Sequence, residues 1–282
     1  MPTLEYRLCD VFTDRPLAGN PLAVFTDASG VEASTMQALA RELNLSECAF
    51  VLPPSSSGAD ARLRIFTPTM ELPFAGHPTL GSAFVLTEAA RASSIRLETA
   101  RGISQVRFAW PSHGAAFGWM TQPLPVVSPY VHERELLAAL GVSGAALPVE
   151  LYDNGPHYVL VALSSPVELG ELRPDMARLE ALGSIAATVI APLGDGWKSR
   201  VFAPGEGINE DPATGAAAGP LALHLGRHGL VPFGSEVVIE QGVELGRPSR
   251  LHARAIGSAE HLEVVEVGGA VVGIGRGVIE LR

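Results

Sequence analysis

The chain has 282 residues, 47% hydrophobic and only 18% charged, with a net charge of −10 and an isoelectric point near 5.3. That apolar content supplies a core for one large domain or two smaller ones, and an acidic chain without a basic patch speaks against nucleic acid as a partner. No apolar run approaches the ~18 residues of a membrane span, the start Met1-Pro2-Thr3-Leu4-Glu5-Tyr6 lacks signal-peptide character, and Cys9 and Cys48 show no metal-type spacing, so a reduced cytoplasmic protein is expected.

Tyr6 to Phe12 and Leu22 to Phe25 read as strands joined by a Gly19-Asn20-Pro21 turn. Met36, Leu39, Ala40 and Leu43 have helical spacing within 31–43, and Asn44 ends that helix. Strands follow over 47–52 and 61–66, a helix over 78–90, and strands over 95–99, 103–108 and 116–120. Gln122-Pro123-Leu124-Pro125 has the composition of a linker. Beyond it come a helix over 135–140, strands over 158–162, 186–190 and 199–202, and a helix over 214–225. Strands over 237–240, 250–255, 262–267 and 271–274 close the chain. Gly273-Ile274-Gly275-Arg276-Gly277 lies too late to open a dinucleotide-binding unit and reads as a bulged strand.

The two parts echo each other. Arg64-Ile65-Phe66-Thr67-Pro68 returns about 136 residues later as Arg200-Val201-Phe202-Ala203-Pro204. Each copy leads into a small-residue helix start, Phe74-Ala75-Gly76-His77-Pro78-Thr79 or Asp211-Pro212-Ala213-Thr214-Gly215-Ala216. Upstream, Gly19-Asn20-Pro21 is echoed by Asn154-Gly155-Pro156. The period exceeds the ~20–50 residues of solenoid repeats, so the unit is a duplicated half-molecule. Many strands with one principal helix per half give an α+β fold, each half a sheet wrapped round a helix. Gly215 and Gly219 weaken the second helix by about 1 kcal/mol each relative to Ala, which suits a helix that needs close backbone approach. Two facing helix N-termini would hold a small anion from both sides.

Glu47 heads an apolar strand, where desolvation would raise its pKa and suit it to proton transfer; taken alone, the pattern reads first as a solvated strand end. His77 stands at a helix entry before Pro78, a residue favoured in a first turn. Asp211 fits either a helix N-cap or a site carboxylate. His224 and His228 are one helical turn apart, with no glutamate in a metal-binding pattern, so no metal is expected.

Gly19-Asn20-Pro21-Leu22-Ala23-Val24-Phe25, Leu43-Asn44-Leu45-Ser46-Glu47, Pro73-Phe74-Ala75-Gly76-His77-Pro78-Thr79, Asn154-Gly155-Pro156, Glu210-Asp211-Pro212-Ala213-Thr214-Gly215 and Gln241-Gly242-Val243-Glu244-Leu245-Gly246-Arg247-Pro248-Ser249 together resemble the PhzF family, co-linearly over essentially the whole chain. Ala218-Gly219-Pro220-Leu221-Ala222 with His224-Leu225 and Arg227-His228-Gly229 is similar to the family's phenazine-biosynthesis member in particular. The resemblance implies a diaminopimelate-epimerase-like fold with two pseudo-symmetric lobes, here 1–120 plus 270–282 and 121–269, around a central cleft. It also implies a homodimer and a cofactor-free isomerase of trans-2,3-dihydro-3-hydroxyanthranilate in phenazine (antibiotic) biosynthesis. Related racemases use one cysteine per lobe; Ala75 and Pro212 stand at those places, so proton chemistry falls to carboxylates. Carried over by motif, Glu47 is the general acid/base, with His77 and Asp211 as catalytic partners. Ser46, Gly76, Asn154, Gly215 and Ala216 bind the carboxylate substrate. Ala216 departs from the family's frequent serine and removes a hydroxyl donor. The alternatives are an isomerase or epimerase of another small amino or hydroxy carboxylate, and a non-catalytic carboxylate-binding protein on the same scaffold.

Overall fold

The computed structural model describes residues 3–281. The first part comprises β1 (Thr3–Val11), β2 (Asn20–Phe25), α1 (Ala33–Leu43), β3 (Glu47–Leu52), β4 (Ala61–Phe66), β5 (Glu71–Leu72), α2 (Gly76–Thr87), β6 (Ser94–Thr99), β7 (Gly102–Ala109) and β8 (Ala116–Gln122). The second comprises β9 (Val126–Pro129), α3 (Glu133–Leu140), β10 (Glu150–Asp153), β11 (His157–Ala162), α4 (Pro166–Glu171), α5 (Met176–Ala181), β12 (Ala186–Leu193), β13 (Gly196–Ala203), β14 (Ile208–Asp211), α6 (Gly215–Arg227), β15 (Val237–Gln241), β16 (Ser249–Gly257) and β17 (Leu262–Glu280).

The strands close a circuit round α2: β1, β2, β3, β4, β6, β7, β8 and then β17, which returns to β1. Only β2–β3 and β4–β6 are parallel. The second part repeats the pattern as β10, β11, β12, β13, β15, β16 and β17, parallel only at β11–β12 and β13–β15. Two crossings stitch the circuits together. β17 leaves β16 to pair with β1, and the chain leaves β8 to pair through β9 with β10.

Both central helices are buried on all sides over most of their length and rich in small and apolar residues, as suits a helix enclosed by sheet. Residues 76–84 of α2 and 215–225 of α6 are all buried. α1 is amphipathic instead and lays Met36, Leu39 and Ala40 on the outer cluster of Phe25, Phe50 and Phe66. Its end at Asn44 is as expected: φ is 49°, left-handed, and the amide bonds Ala40 O.

Four expectations need correction. The helix read over 78–90 runs from Gly76 to Thr87, because Glu88 onward forms a turn in which Arg91 takes a φ of 47°. The stretch read as a linker is shorter: Gln122 completes β8 and Val126 already begins β9, since the prolines sit where no ladder hydrogen bond is needed. The strands read over 262–267 and 271–274 are one, with the glycines at 268 and 269 lying against Trp119 and Phe12. β5, β10, β14, α4 and α5 were too short to show a period. The bulge reading holds: Leu8 faces Gly275 and Cys9 faces Gly273, leaving Ile274 as the extra residue.

Candidate active site

Glu47 heads β3, opposite Leu22 of β2. Cys48, Ala49 and Phe50 behind it are wholly buried, as in a parallel strand covered on both faces, and this draws Glu47 into the interior as well. The solvated-end reading therefore fails. Burial raises the Glu47 pKa well above the ordinary carboxyl range, and the charges of Asp211 and Glu206 push it the same way.

His77 is the second residue of α2, and its Nδ1 lies 3.5 Å from Glu47 Oε2. Burial lowers its pKa to about 3, so the ring is neutral. Asn20 Nδ2 lies 2.8 Å from Asp211 Oδ1, 2.9 Å from Ala213 O and 3.1 Å from His77 Nδ1. Asp211 Oδ1 and Ala213 O can take both amide protons, and an NH2 set against Nδ1 favours the tautomer that carries the His77 ring proton on Nε2. Nε2 of His77 and Oε2 of Glu47 are buried and have no hydrogen-bond partner among the described residues. Orphaned buried polar atoms of this kind mark places where a ligand completes the bonding.

Asp211 ends β14 and is not the helix cap. Thr214 is the residue before α6, and its hydroxyl donates to Asp211 Oδ2 at 2.6 Å. Burial raises the Asp211 pKa against the opposing effects of Thr214, Ser46 and Asn20. Gln241 Nε2 donates to the Asp211 carbonyl at 2.8 Å, and Gln241 Oε1 accepts from the Thr214 amide at 3.1 Å. Ser46 lies near enough to Asp211 to lower its pKa, and that is its link to the site.

The first turns of α2 and α6 abut. A Cβ on Gly76 would overlap the Ala216 amide nitrogen, and one on Gly215 would meet Phe12. Only glycine permits this approach. First-turn amides have no intrahelical acceptor, so Gly76, His77, Gly215 and Ala216 present theirs at the junction. Asn154 Nδ2 donates to Ala216 O, and Gln122 Nε2 to Gly215 O, each at 2.9 Å. Asn154 is thus a clamp on the α6 start, its Oδ1 buried and unpaired. Asn20, Gln122 and Gln241 went unread as site residues, although the Gly19-Asn20-Pro21 echo singled out the first.

Matching the strand registers of the two circuits leaves each chemical group without a counterpart. Ile185, preceding β12, stands where Glu47 precedes Cys48 in β3. Leu72 faces Ile65 as Asp211 faces Val201. Ala216 is the second residue of α6, as His77 is of α2.

The His224 and His228 pair does meet a carboxylate, Glu150, delivered by β10. The three could hold a metal ion. Here Glu150 Oε2 lies 3.2 Å from His224 Nδ1 and 3.1 Å from His228 Nε2 and accepts from the Tyr152 hydroxyl at 2.9 Å, while Arg227 sits 3.2 Å from Oε1. Surface cavities of about 500 and 300 Å³ near Phe12 and Trp197 involve none of Glu47, His77 and Asp211.

Two sheet circuits, each round a buried helix, with the helix N-termini meeting beside a buried acid, define the diaminopimelate-epimerase-like class. A hydroxyproline epimerase from Agrobacterium vitis shares this fold at 14% identity, with a TM-score of 0.64 over 98% of this chain and 92% of that one. A family model described as phenazine biosynthesis-like protein (PhzC-PhzF) matches residues 9–277, and the chain belongs to that family and is an isomerase. It is 46% identical to a trans-2,3-dihydro-3-hydroxyanthranilate isomerase of Pseudomonas chlororaphis, over 98% of this chain and 99% of that protein. A PhzF-family phenazine biosynthesis protein from Bacillus anthracis matches in structure over the full length of both chains, with a TM-score of 0.85 and 25% identity. Among the described residues no helix is long and apolar enough to cross a membrane.

Proposed function

We propose that the protein isomerises trans-2,3-dihydro-3-hydroxyanthranilate by proton transfer through one carboxylate. The observation that carries this is the buried pair of orphaned atoms, Glu47 Oε2 and His77 Nε2, beside two abutting helix starts. The substrate carboxylate takes the first-turn amides, where dipole and free N–H groups favour an anion. Ionised Glu47 removes the proton from the hydroxyl-bearing ring carbon, and its carboxylic acid returns that proton to the carboxylate-bearing carbon on the same face. The enol then tautomerises to the ketone. His77, neutral with Nε2–H as donor, and Asp211 hold the substrate's polar groups and relay protons. A single base fits a cleft whose second half offers Ile185 in place of Glu47. Because Glu47 and His77 are buried, the lobes, taken as 1–120 plus 270–282 and 121–269, part to admit substrate.

The test is incubation of purified protein with this substrate in D2O, followed by ultraviolet absorbance and proton NMR. The expected result is rapid loss of the diene absorbance, with limited deuterium at the newly protonated carbon because one shielded carboxyl carries the proton. Folded protein that leaves the diene intact would sink the proposal.

A further inference from the structure

We propose that Glu206 binds the substrate's ammonium group, so that the site is built for a zwitterion: carboxylate at the paired helix starts, ammonium at a second-lobe carboxylate. This rests on the reading given under Proposed function and adds to it a recognition residue that the sequence motifs did not mark.

Glu206 ends a short 3-10 turn, Pro204–Glu206, between β13 and β14, and is buried. Its Oε1 accepts from the Ser184 hydroxyl at 2.9 Å, and Oε2 has no hydrogen-bond partner among the described residues. The turn is pinned to the other half of the molecule, where Thr69 Oγ1 donates to Glu206 O at 2.8 Å. The backbone at Glu206 is therefore fixed against the other half, and its carboxyl is held by Ser184.

The titratable groups near enough to act on its charge, or to feel it, are Asp211, Glu47, Tyr158 and His157. Burial raises the pKa of Glu206, with Asp211 adding to it and Ser184 and His157 opposing, and burial with the nearby carboxylates pushes that of the Tyr158 hydroxyl well up. Among the described residues no lysine or arginine pairs with Glu47, Asp211 or Glu206, whereas Asp10 pairs with Arg247, Glu210 with Arg200 and Glu244 with Lys198. Three buried carboxyls without a counter-cation are costly to ionise. A bound ammonium supplies the missing charge, and it does so only when substrate is present.

The duplication sharpens the assignment. Arg64 and Arg200 make equivalent ion pairs with Glu71 and Glu210 and lie over Phe66 and Phe202. The second half carries a longer connection between these partners, and Glu206 lies in it; the matching stretch of the first half, Ile65-Phe66-Thr67-Pro68-Thr69-Met70, holds no carboxyl. The carboxyl thus stands on one side only of a pseudo-symmetric cleft, which fixes which way round an asymmetric ring enters.

The experiment compares wild type with Glu206→Gln, which keeps an acceptor for Ser184, on two compounds: the amino substrate and its analogue with hydroxyl in place of the amino group. Loss of a charged hydrogen bond is expected to raise KM for the amino compound about 10- to 100-fold, with kcat little changed and the analogue's KM unaltered. The acid limb of the kcat/KM profile should also move to lower pH, because Glu47 loses a negative neighbour. Unchanged KM for the amino compound, or an equal rise for both compounds, would overturn the assignment. Should wild type turn over neither compound, calorimetry separates the two readings. A preference for the amino compound that Glu206→Gln abolishes upholds the ammonium site and sinks only the isomerase, whereas no preference in wild type sinks the ammonium site.

Discussion

Glu47 shows how one residue's position sets both chemistry and stability. Its carboxyl is buried and its pKa is raised, so in the folded protein the charged form is the disfavoured one. For a carboxyl raised in this direction, the stabilising effect is complete below the ordinary carboxyl range and is lost as pH rises through the folded value. Glu47→Gln should therefore melt higher than wild type near neutral pH, with the difference shrinking toward pH 4, as thermal denaturation at the two pH values would show. The same substitution should cut kcat by about 10²- to 10⁴-fold, the usual worth of a general acid/base, while substrate binding persists. Turnover that survives would remove Glu47 from its role. Enzyme with intact Glu47 should gain activity as pH rises through that raised value, since the ionised form is the base.

At the level of elements, the helix starts and the paired arginines carry the design. Gly76→Ala should cost roughly 1–3 kcal/mol, the usual range for overpacking, because the added methyl meets the Ala216 backbone rather than a side chain that can move. Urea denaturation would measure it, and a neutral result would mean that the two helix starts are not packed as described. The arginines give a contrast within one molecule. The Arg200 side chain is 6% exposed, pairs with Glu210 and donates to the carbonyls of Leu169, Gly170 and Leu172. The Arg64 side chain is 27% exposed and its partner Glu71 40%. Arg200→Met should cost about 3–5 kcal/mol, by leaving three carbonyls and a half-buried carboxylate without their donor, and Arg64→Met under about 1 kcal/mol. Equal costs in parallel melts would contradict this account.

At the scale of the whole molecule, the cysteines separate this chemistry from that of thiol racemases. Burial raises the pKa of both thiols, that of Cys48 to about 12, and both lie inside sheet clusters. A buried, protonated thiol is a poor nucleophile. Iodoacetamide should leave native activity intact, and the Cys9→Ala, Cys48→Ala double variant should keep kcat; thiol-dependent loss of activity in the native protein would argue otherwise.

The sequence by itself determined the duplicated α+β architecture, the two glycine-rich helix starts and the candidates Glu47, His77 and Asp211. Local patterns suffice for the architecture and the helix starts: apolar alternation marks strands, and repeated small residues mark a helix that must come close to its neighbours; the roles of the three candidates come from the resemblance of their motifs to the family. What only the tertiary structure decided is which of these groups meet, and in what state. Asp211 reads locally as a helix cap, yet it ends a strand and shares Asn20 with His77 from the other half of the chain. Glu206 and Tyr158 carry no motif and reach the acid cluster only through folding. His224 and His228 lack a third partner in sequence because Glu150 arrives from a separate strand. Protonation states follow from burial and from charges brought together over long sequence separations, and neither is written in any local run of residues.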